Sequence, residues 1–151
     1  MTAYELAAET IVDRPAPIVW TLLADYANDV AWRSGVIAMT ADPPGIVTPG
    51  ARTAEQLRFA GRTWHNAGEV VTVEPGTRMT WRTVSGADAQ GARTLTPLTP
   101  DRCLLRLELR VTPHGIQRPI GRLLAHMLQR NLDNDIAALR AMIEKTTPAS
   151  A

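Results

Sequence analysis

The chain has 151 residues, the size of one domain, and a domain of this length buries roughly 70% of the surface its unfolded chain exposes. Its apolar fraction is 45% and its charged fraction 21%, and no apolar run approaches the roughly 20 residues that span a bilayer, which disfavours membrane insertion. Sixteen Lys and Arg against fifteen Asp and Glu leave a net charge of +1, spread along the chain rather than gathered, so the concentrated positive footprint that nucleic acid requires is missing and acidic-membrane binding is disfavoured on the same ground.

In chain order, MTAYELAAETIVDRP carries Glu5 and Glu9 where a secretory signal would need a basic start and then a continuous apolar stretch. No export signal is therefore expected. Cys103 is the only cysteine, which excludes an internal disulfide and suits a reducing, cytoplasmic location. Residues 4 to 13 alternate as a strand does and end at Pro15 and Pro17, whose missing donors and fixed φ favour a helix start at residue 16 or 17. PIVWTLLADY then sets Val19, Leu22, Leu23 and Tyr26 at helical spacing, and ANDVAWRSG continues as a second short helix or turn closed by Gly35.

From residue 35 to residue 111 the chain reads as strands punctuated by turn residues, with Pro43, Pro44, Gly45, Pro49 and Gly50 as the clearest break. Turns are expected at Ala60-Gly61, at Pro75-Gly76 and between residues 98 and 102, each joining neighbours of an antiparallel meander. In the last strand Leu105, Leu107, Leu109 and Val111 share one face and Arg106, Glu108 and Arg110 the other, so one face is buried and the other wet. The same alternation puts Met79, Trp81 and Thr83 on the covered side. From Ile116 or Pro119 to Lys145 there is no breaker. Ile120, Leu123, Leu124, Met127, Leu128, Leu132, Ile136, Leu139, Met142 and Ile143 recur there at three- and four-residue spacing, which predicts one long helix. The polar residues 147 to 151 are expected to be a disordered tail.

This layout is α+β: a strand, two short helices, about six further antiparallel strands and a long C-terminal helix, forming a single domain over residues 1 to 146. The sheet of about seven strands has one apolar face, and the long helix carries the only other large apolar surface. A curved sheet wrapped around that helix, with an internal cavity between them, is the expected arrangement.

Three segments, IVDRPAPIVWTLLADYANDVAW, VTVEPGTRMTWR and DRCLLRLELRVTP, give nearly the whole chain a resemblance to the START-like helix-grip superfamily. It is similar in particular to the polyketide cyclase/dehydrase and lipid-transport (SRPBCC) branch. The first segment is like that family's opening strand, its proline-led helix with a Val-Trp pair, and its second helix ending in Trp. The others resemble its turn and arginine-aromatic strand and the strand before its closing helix. The resemblance implies a helix-grip fold with a binding cavity between sheet and helix. That family has no invariant catalytic motif, so no catalytic residue is implied.

On a helix that advances about 100° per residue, Asn131 and Asp135 lie one turn apart within the apolar arc, and His126 falls on the far side. A lone buried carboxylate is costly, so Asp135 is expected to be paired, hydrogen-bonded, open to water through a cavity, or protonated. Facing a cavity, Asn131 and Asp135 would orient a ligand's hydroxyl or carbonyl, with Met127 on the same wall. Facing an open sheet end, both would simply be solvated. Four tryptophans against one Phe and two Tyr is an uneven aromatic balance. Tyr26, Trp32, Trp64 and Trp81 belong to elements bordering the expected cavity and would form flat walls for a ring-bearing ligand, although Trp20 and Trp81 equally suit an ordinary core. Trp32 ends the second helix, where the resemblance puts the cavity mouth.

Glu55 shares a strand face with Thr53, Leu57 and Phe59. A two-residue turn at Ala60-Gly61 would set it against Asn66; a three-residue turn would set it against Ala67, bring His65 inward and permit a Glu55/His65 acid-base pair. His65, His114 and His126 have no metal-ligand spacing with each other or with Cys103, and there is no phosphate loop or G-x-S-x-G elbow. No metal or cofactor is expected. The first functional expectation is a monomeric or homodimeric protein that encloses a small, largely hydrophobic molecule: a lipid, a polyketide-like compound or an aromatic one. The second is a cyclase, aromatase or dehydratase in which Asp135 or Glu55 moves protons at an enolisable carbon. A third, a module that modulates a partner protein, stays open.

Overall fold

The computed structural model describes residues 2–148. Strand β1 (Tyr4–Val12) leads into helix α1 (Ala16–Leu23), a 3-10 turn at Tyr26–Asn28 and the short helix α2 (Asp29–Trp32). Six strands follow: β2 (Val36–Asp42), β3 (Arg52–Phe59), β4 (Arg62–Glu74), β5 (Arg78–Ser85), β6 (Ala89–Thr99) and β7 (Arg102–Val111). A 3-10 turn at Gly115–Ile120 then enters the long helix α3 (Gly121–Thr146). The seven strands make one antiparallel sheet in the order β1-β7-β6-β5-β4-β3-β2. Because β1 and β2 sit at opposite edges, α1 and α2 must carry the chain across the sheet, with α1 packed on β6 and α2 on β2 and α3. That crossing places the helical residues over the inner face.

Bulges in β2, β4 and β6 bend the strands and curl the sheet. At the β3–β4 hairpin, Ala60 and Gly61 have φ of 53° and 75°, the left-handed pair that a two-residue primed turn requires. The register is thereby the one that sets Glu55 against Asn66, and His65 is left exposed on the outer side. The Glu55/His65 pair that a three-residue turn would have permitted is therefore not formed.

The long helix begins later than the apolar spacing implies. Residues 115 to 120 form a 3-10 turn with Pro119 inside it, because proline has no N–H for the α-helical ladder. At its far end α3 is tied down: Arg14 donates from Nη2 to the Glu144 carbonyl at 2.7 Å and from Nε to that of Thr147 at 2.9 Å. These are helix-terminal acceptors that would otherwise lack a donor. Gln129 Nε2 reaches the Ala7 carbonyl on the free edge of β1 at 2.9 Å. Residues 149 to 151, within the expected tail, lie outside the described residues.

The interior divides into two halves. At one end Ile136, Leu139 and Ile143 of α3 pack with Val12, Val19, Leu23, Val70, Met79, Leu95, Cys103 and Leu105 into a solid core. At the other end the N-terminal half of α3 faces the sheet across open space. Leu139 is fully buried, whereas Leu123, sixteen residues earlier and so about 160° round the helix, is 57% exposed and off the cavity wall. Leu139→Ala is expected to lower the unfolding free energy by about 2–5 kcal/mol. Leu123→Ala should change it by no more than about 0.5 kcal/mol; denaturant unfolding of the two variants measures the contrast.

Candidate ligand-binding site

The open half of the interior is a cavity of about 340 Å³, within the roughly 300–1,000 Å³ typical of small-molecule sites. Its walls come from β2 to β7 on the sheet side and from Leu124, Leu128, Asn131, Leu132 and Asp135 on α3. Tyr26, Trp32, Glu55, Trp64, Trp81, Asn131 and Asp135 all lie on the wall, as the sequence suggests. Met127 does not: the stripe through Leu124, Leu128 and Asp135 faces the space, and Met127 sits on its flank. Trp32 is also displaced from its expected place. It is 5% exposed and packs within the core cluster, so it forms the inner end of the cavity rather than its mouth.

At that inner end lies a chain of charges. Asp29, with no exposure at all, accepts from Arg93 Nη2 at 2.6 Å and Nη1 at 3.1 Å. Arg93 Nη1 also donates to the Leu23 carbonyl at the end of α1 at 2.9 Å, where a helix C-terminus favours a cation. Its guanidinium lies 4.8 Å from the Tyr26 ring centre and 5.0 Å from that of Trp32. Arg33 bridges onward, 3.2 Å from Asp29 and 2.9 Å from Glu55. Glu55 accepts from Asn66 Nδ2 at 3.2 Å, and Asn66 Oδ1 accepts from the Ala87 backbone N–H at 2.9 Å. Burial opposes the charge on both arginines, but the adjacent carboxylates outweigh it and hold them protonated. Burial also pushes the Tyr26 hydroxyl up to about 12, so it stays a neutral hydroxyl.

Asp135 stands apart from this chain. Its Oδ1 accepts the Ser34 backbone N–H at 2.7 Å, it makes no ion pair among the described residues, and it is 8% exposed. Its carboxyl lies above the ordinary range because burial disfavours the charged form, a push that the Ser34 hydrogen bond only partly offsets. Of the alternatives for this residue, the structure shows it hydrogen-bonded and on the cavity wall. The indole N–H groups of Trp32 and Trp64 are buried without a partner among the described residues. An unmade bond of this kind costs about 1–3 kcal/mol, and both residues belong to the wall.

Asp29, Arg33 and Arg93 are the residues that sequence reasoning overlooks. Two signals pointed to them: Asp29 and Arg33 stand four apart, the spacing of a helical ion pair. Arg93 is two residues before fully buried Leu95, a cation on the apolar side of a strand. No group of His, Cys, Asp and Glu able to hold a metal occurs among the described residues. Nor is any described helix long and apolar enough to cross a membrane.

A curled antiparallel sheet closed by one long helix around a cavity defines the helix-grip class. The chain belongs to the polyketide cyclase/dehydrase and lipid transport family, whose model matches residues 4–144. Among solved structures it is similar to the Zhui aromatase/cyclase from Streptomyces sp. R1128, with a TM-score of 0.82, 16% identity and 98% of each chain covered. It is similar also to a START superfamily protein from Mycobacterium smegmatis, with a TM-score of 0.74, 15% identity and coverage of 95% of this chain and 99% of that one. A third, TTHA0849 from Thermus thermophilus, has a TM-score of 0.77 at 15% identity, over 96% of this chain and 100% of the other. At these identities the likeness is one of fold. Comparison with curated protein sequences gives no match.

Asp29→Ala would leave Arg93 buried without its carboxylate. It is expected to cost about 3–5 kcal/mol of stability, read by denaturant unfolding. Asp135 has the opposite character. A carboxyl whose folded pKa is raised favours the folded state below its unfolded value near 4, and loses that contribution as pH rises through the folded value. Asp135→Asn keeps an acceptor for Ser34, so it should melt above the parent at pH 7 and close to it near pH 3, in thermal scans of both proteins.

Proposed function

We propose that this protein encloses a small, largely apolar, ring-bearing molecule carrying carbonyl or hydroxyl oxygens. The observation that carries the reading is the pairing of an apolar cavity with aromatic walls and a few unspent polar groups. Trp64 and Trp81 offer flat surfaces to a ring, and the two unpartnered indole N–H groups call for acceptors. The Asn131 side chain, which makes no hydrogen bond among the described residues, and the second oxygen of Asp135 supply further polar contacts. Glu55 is already committed to Arg33 and Asn66. It acts as part of the scaffold rather than as a ligand contact.

Asp135 favours a second reading, a cyclase or dehydratase for a polyketide-like substrate. A cavity-facing carboxylate that burial makes more basic than an ordinary one is better suited to accept a proton from a substrate carbon. It would take a proton from the carbon between two carbonyls; the resulting enolate carbon would bond to a second carbonyl carbon, whose oxygen would receive that proton. Loss of this new hydroxyl as water, with a second proton from the ring carbon, would give the unsaturated ring. Of the two carboxylates expected to do such work, only Asp135 has an oxygen left free.

Native mass spectrometry of the purified protein is expected to show a retained small molecule. Trp64→Ala should weaken retention at least tenfold, because the loss of a stacking wall and a donor exceeds the 1.4 kcal/mol that a tenfold change represents. Under the binding reading Asp135→Asn retains the ligand unchanged in mass. Under the cyclase reading the parent converts a linear poly-carbonyl probe to a product lighter by one water, and Asp135→Asn does not. A parent that neither retains nor converts any apolar probe would remove both.

A further inference from the structure

The arginines of the outer sheet face are answered by carboxylates. Arg106 pairs with Glu9 and Glu108, Arg110 with Glu5, Arg78 with Glu108, and Arg52 and Arg82 with Glu69. Around the cavity mouth the pattern reverses. Arg58 and Arg62 flank the Ala60-Gly61 hairpin tip, and Arg118 and Arg122 flank the start of α3. All four are exposed, and none has an ion-pair partner among the described residues. No Asp or Glu occurs between Glu55 and Glu69 or between Glu108 and Asp133. The two lips face each other, since Phe59, Ala60 and Arg62 line the same cavity as Ile116 and Ile120. Between the cations stand large aliphatic side chains held in water: Ile116 is 91% exposed, and Ile120 and Leu123 are exposed as well.

We propose that this mouth docks on the surface of an anionic phospholipid bilayer. Ile116, Ile120 and Leu123 would enter the headgroup and acyl boundary while Arg58, Arg62, Arg118 and Arg122 meet anionic headgroups, the division of labour of an interfacial segment. None of the four arginines is ion-paired among the described residues, which suits a laterally fluid anionic surface: Arg62 rests over the Trp64 ring at 4.1 Å, and Asp88, on the turn whose Ala87 and Ala89 line the same cavity, is taken by His114 at 2.7 Å. Recognition of a fixed protein carboxylate exploits an oriented, bidentate guanidinium instead. Docked this way the cavity opens into apolar surroundings, and an apolar molecule passes in without crossing water. The surface stands independently of the ligand proposed above: vesicle docking and ligand retention are separate measurements, and either can fail alone.

The test is flotation of the full chain with vesicles of mixed phosphatidylserine and phosphatidylcholine, against vesicles of phosphatidylcholine alone. Docking predicts binding to the mixed vesicles only, weakened by salt. About fivefold in partitioning per arginine predicts a loss of roughly 25-fold for Arg118→Gln with Arg122→Gln. Ile116→Ser with Leu123→Ser should weaken binding while keeping its salt dependence. Arg106→Gln with Arg110→Gln, an equal change of charge on the outer face, should leave binding intact. Thermal unfolding of each variant shows that it is folded. Absence of binding to mixed vesicles at low salt would overturn the proposal, as would an equal loss from the outer-face pair. So would arginine-dependent capture of a soluble poly-glutamate peptide without vesicle binding, which would assign the lips to an acidic protein.

Discussion

The contact between Arg93 and Asp29 is the constraint on which the arrangement depends. β1 and β2 are consecutive strands at opposite sheet edges, so the intervening helices must be pinned somewhere along their crossing. Arg93, on β6, holds both the end of α1 through the Leu23 carbonyl and the start of α2 through Asp29. A charge pair taken this far from water is weak evidence for net stability, because desolvation offsets much of its Coulomb energy. What it supplies is geometry: one guanidinium fixes the end of α1 and the start of α2 against β6. The pair also marks a boundary: beyond it toward Leu95 and Leu105 the interior is packed, and before it the interior is open.

The cavity exists because of what is missing from the sheet. Where α3 packs closely, the inner face carries Met79, Leu95 and Leu105. Along the open half it carries Gly68 and Ala89, opposite Thr53 and Val111, which are too short to reach the helix. Gly68 could not be enlarged, since a Cβ there would stand 2.8 Å from Thr53 Oγ1 and 2.9 Å from the Arg82 carbonyl. Gly91 has a comparable role: a Cβ would stand 2.6 Å from the Trp81 ring, so its absence lets the indole lie across the neighbouring strand. α3 rests on β1 and α2 and bridges the middle strands from there.

Much of this was legible beforehand, because strand alternation and helical spacing report burial directly. The turn chemistry at Ala60-Gly61 narrowed the register to two choices, and the left-handed φ of both residues decides between them. The aromatic walls and Asn131 with Asp135 were legible because bulky or polar side chains on an apolar face stand out. Met127 was misplaced because helical phase locates a face to within a residue or so, and the cavity stripe is narrower than the apolar arc. Asp29, Arg33 and Arg93 were hidden for another reason. A charged side chain reads as solvated unless its partner is known, and their partners lie 64 and 22 residues apart in the chain.

The same blindness applies to surface charge, with larger consequences. Read along the chain, sixteen basic and fifteen acidic residues look evenly mixed. Folding sorts them. Antiparallel pairing sets Glu5 and Glu9 of β1 beside Arg110 and Arg106 of β7, and Glu69 of β4 beside Arg82 of β5. That cross-strand neutralisation consumes the carboxylates of the outer face. It leaves cations wherever strands run out, at the hairpin tip and at the entry to α3, and the curl of the sheet brings those two ends to one opening. A net charge of +1 therefore describes a molecule whose outer face is balanced and whose cavity entrance is not. Even mixing along a sequence limits charge patches only for residues whose neighbours in space are also neighbours in the chain, and in a meander closed by a long helix they are not.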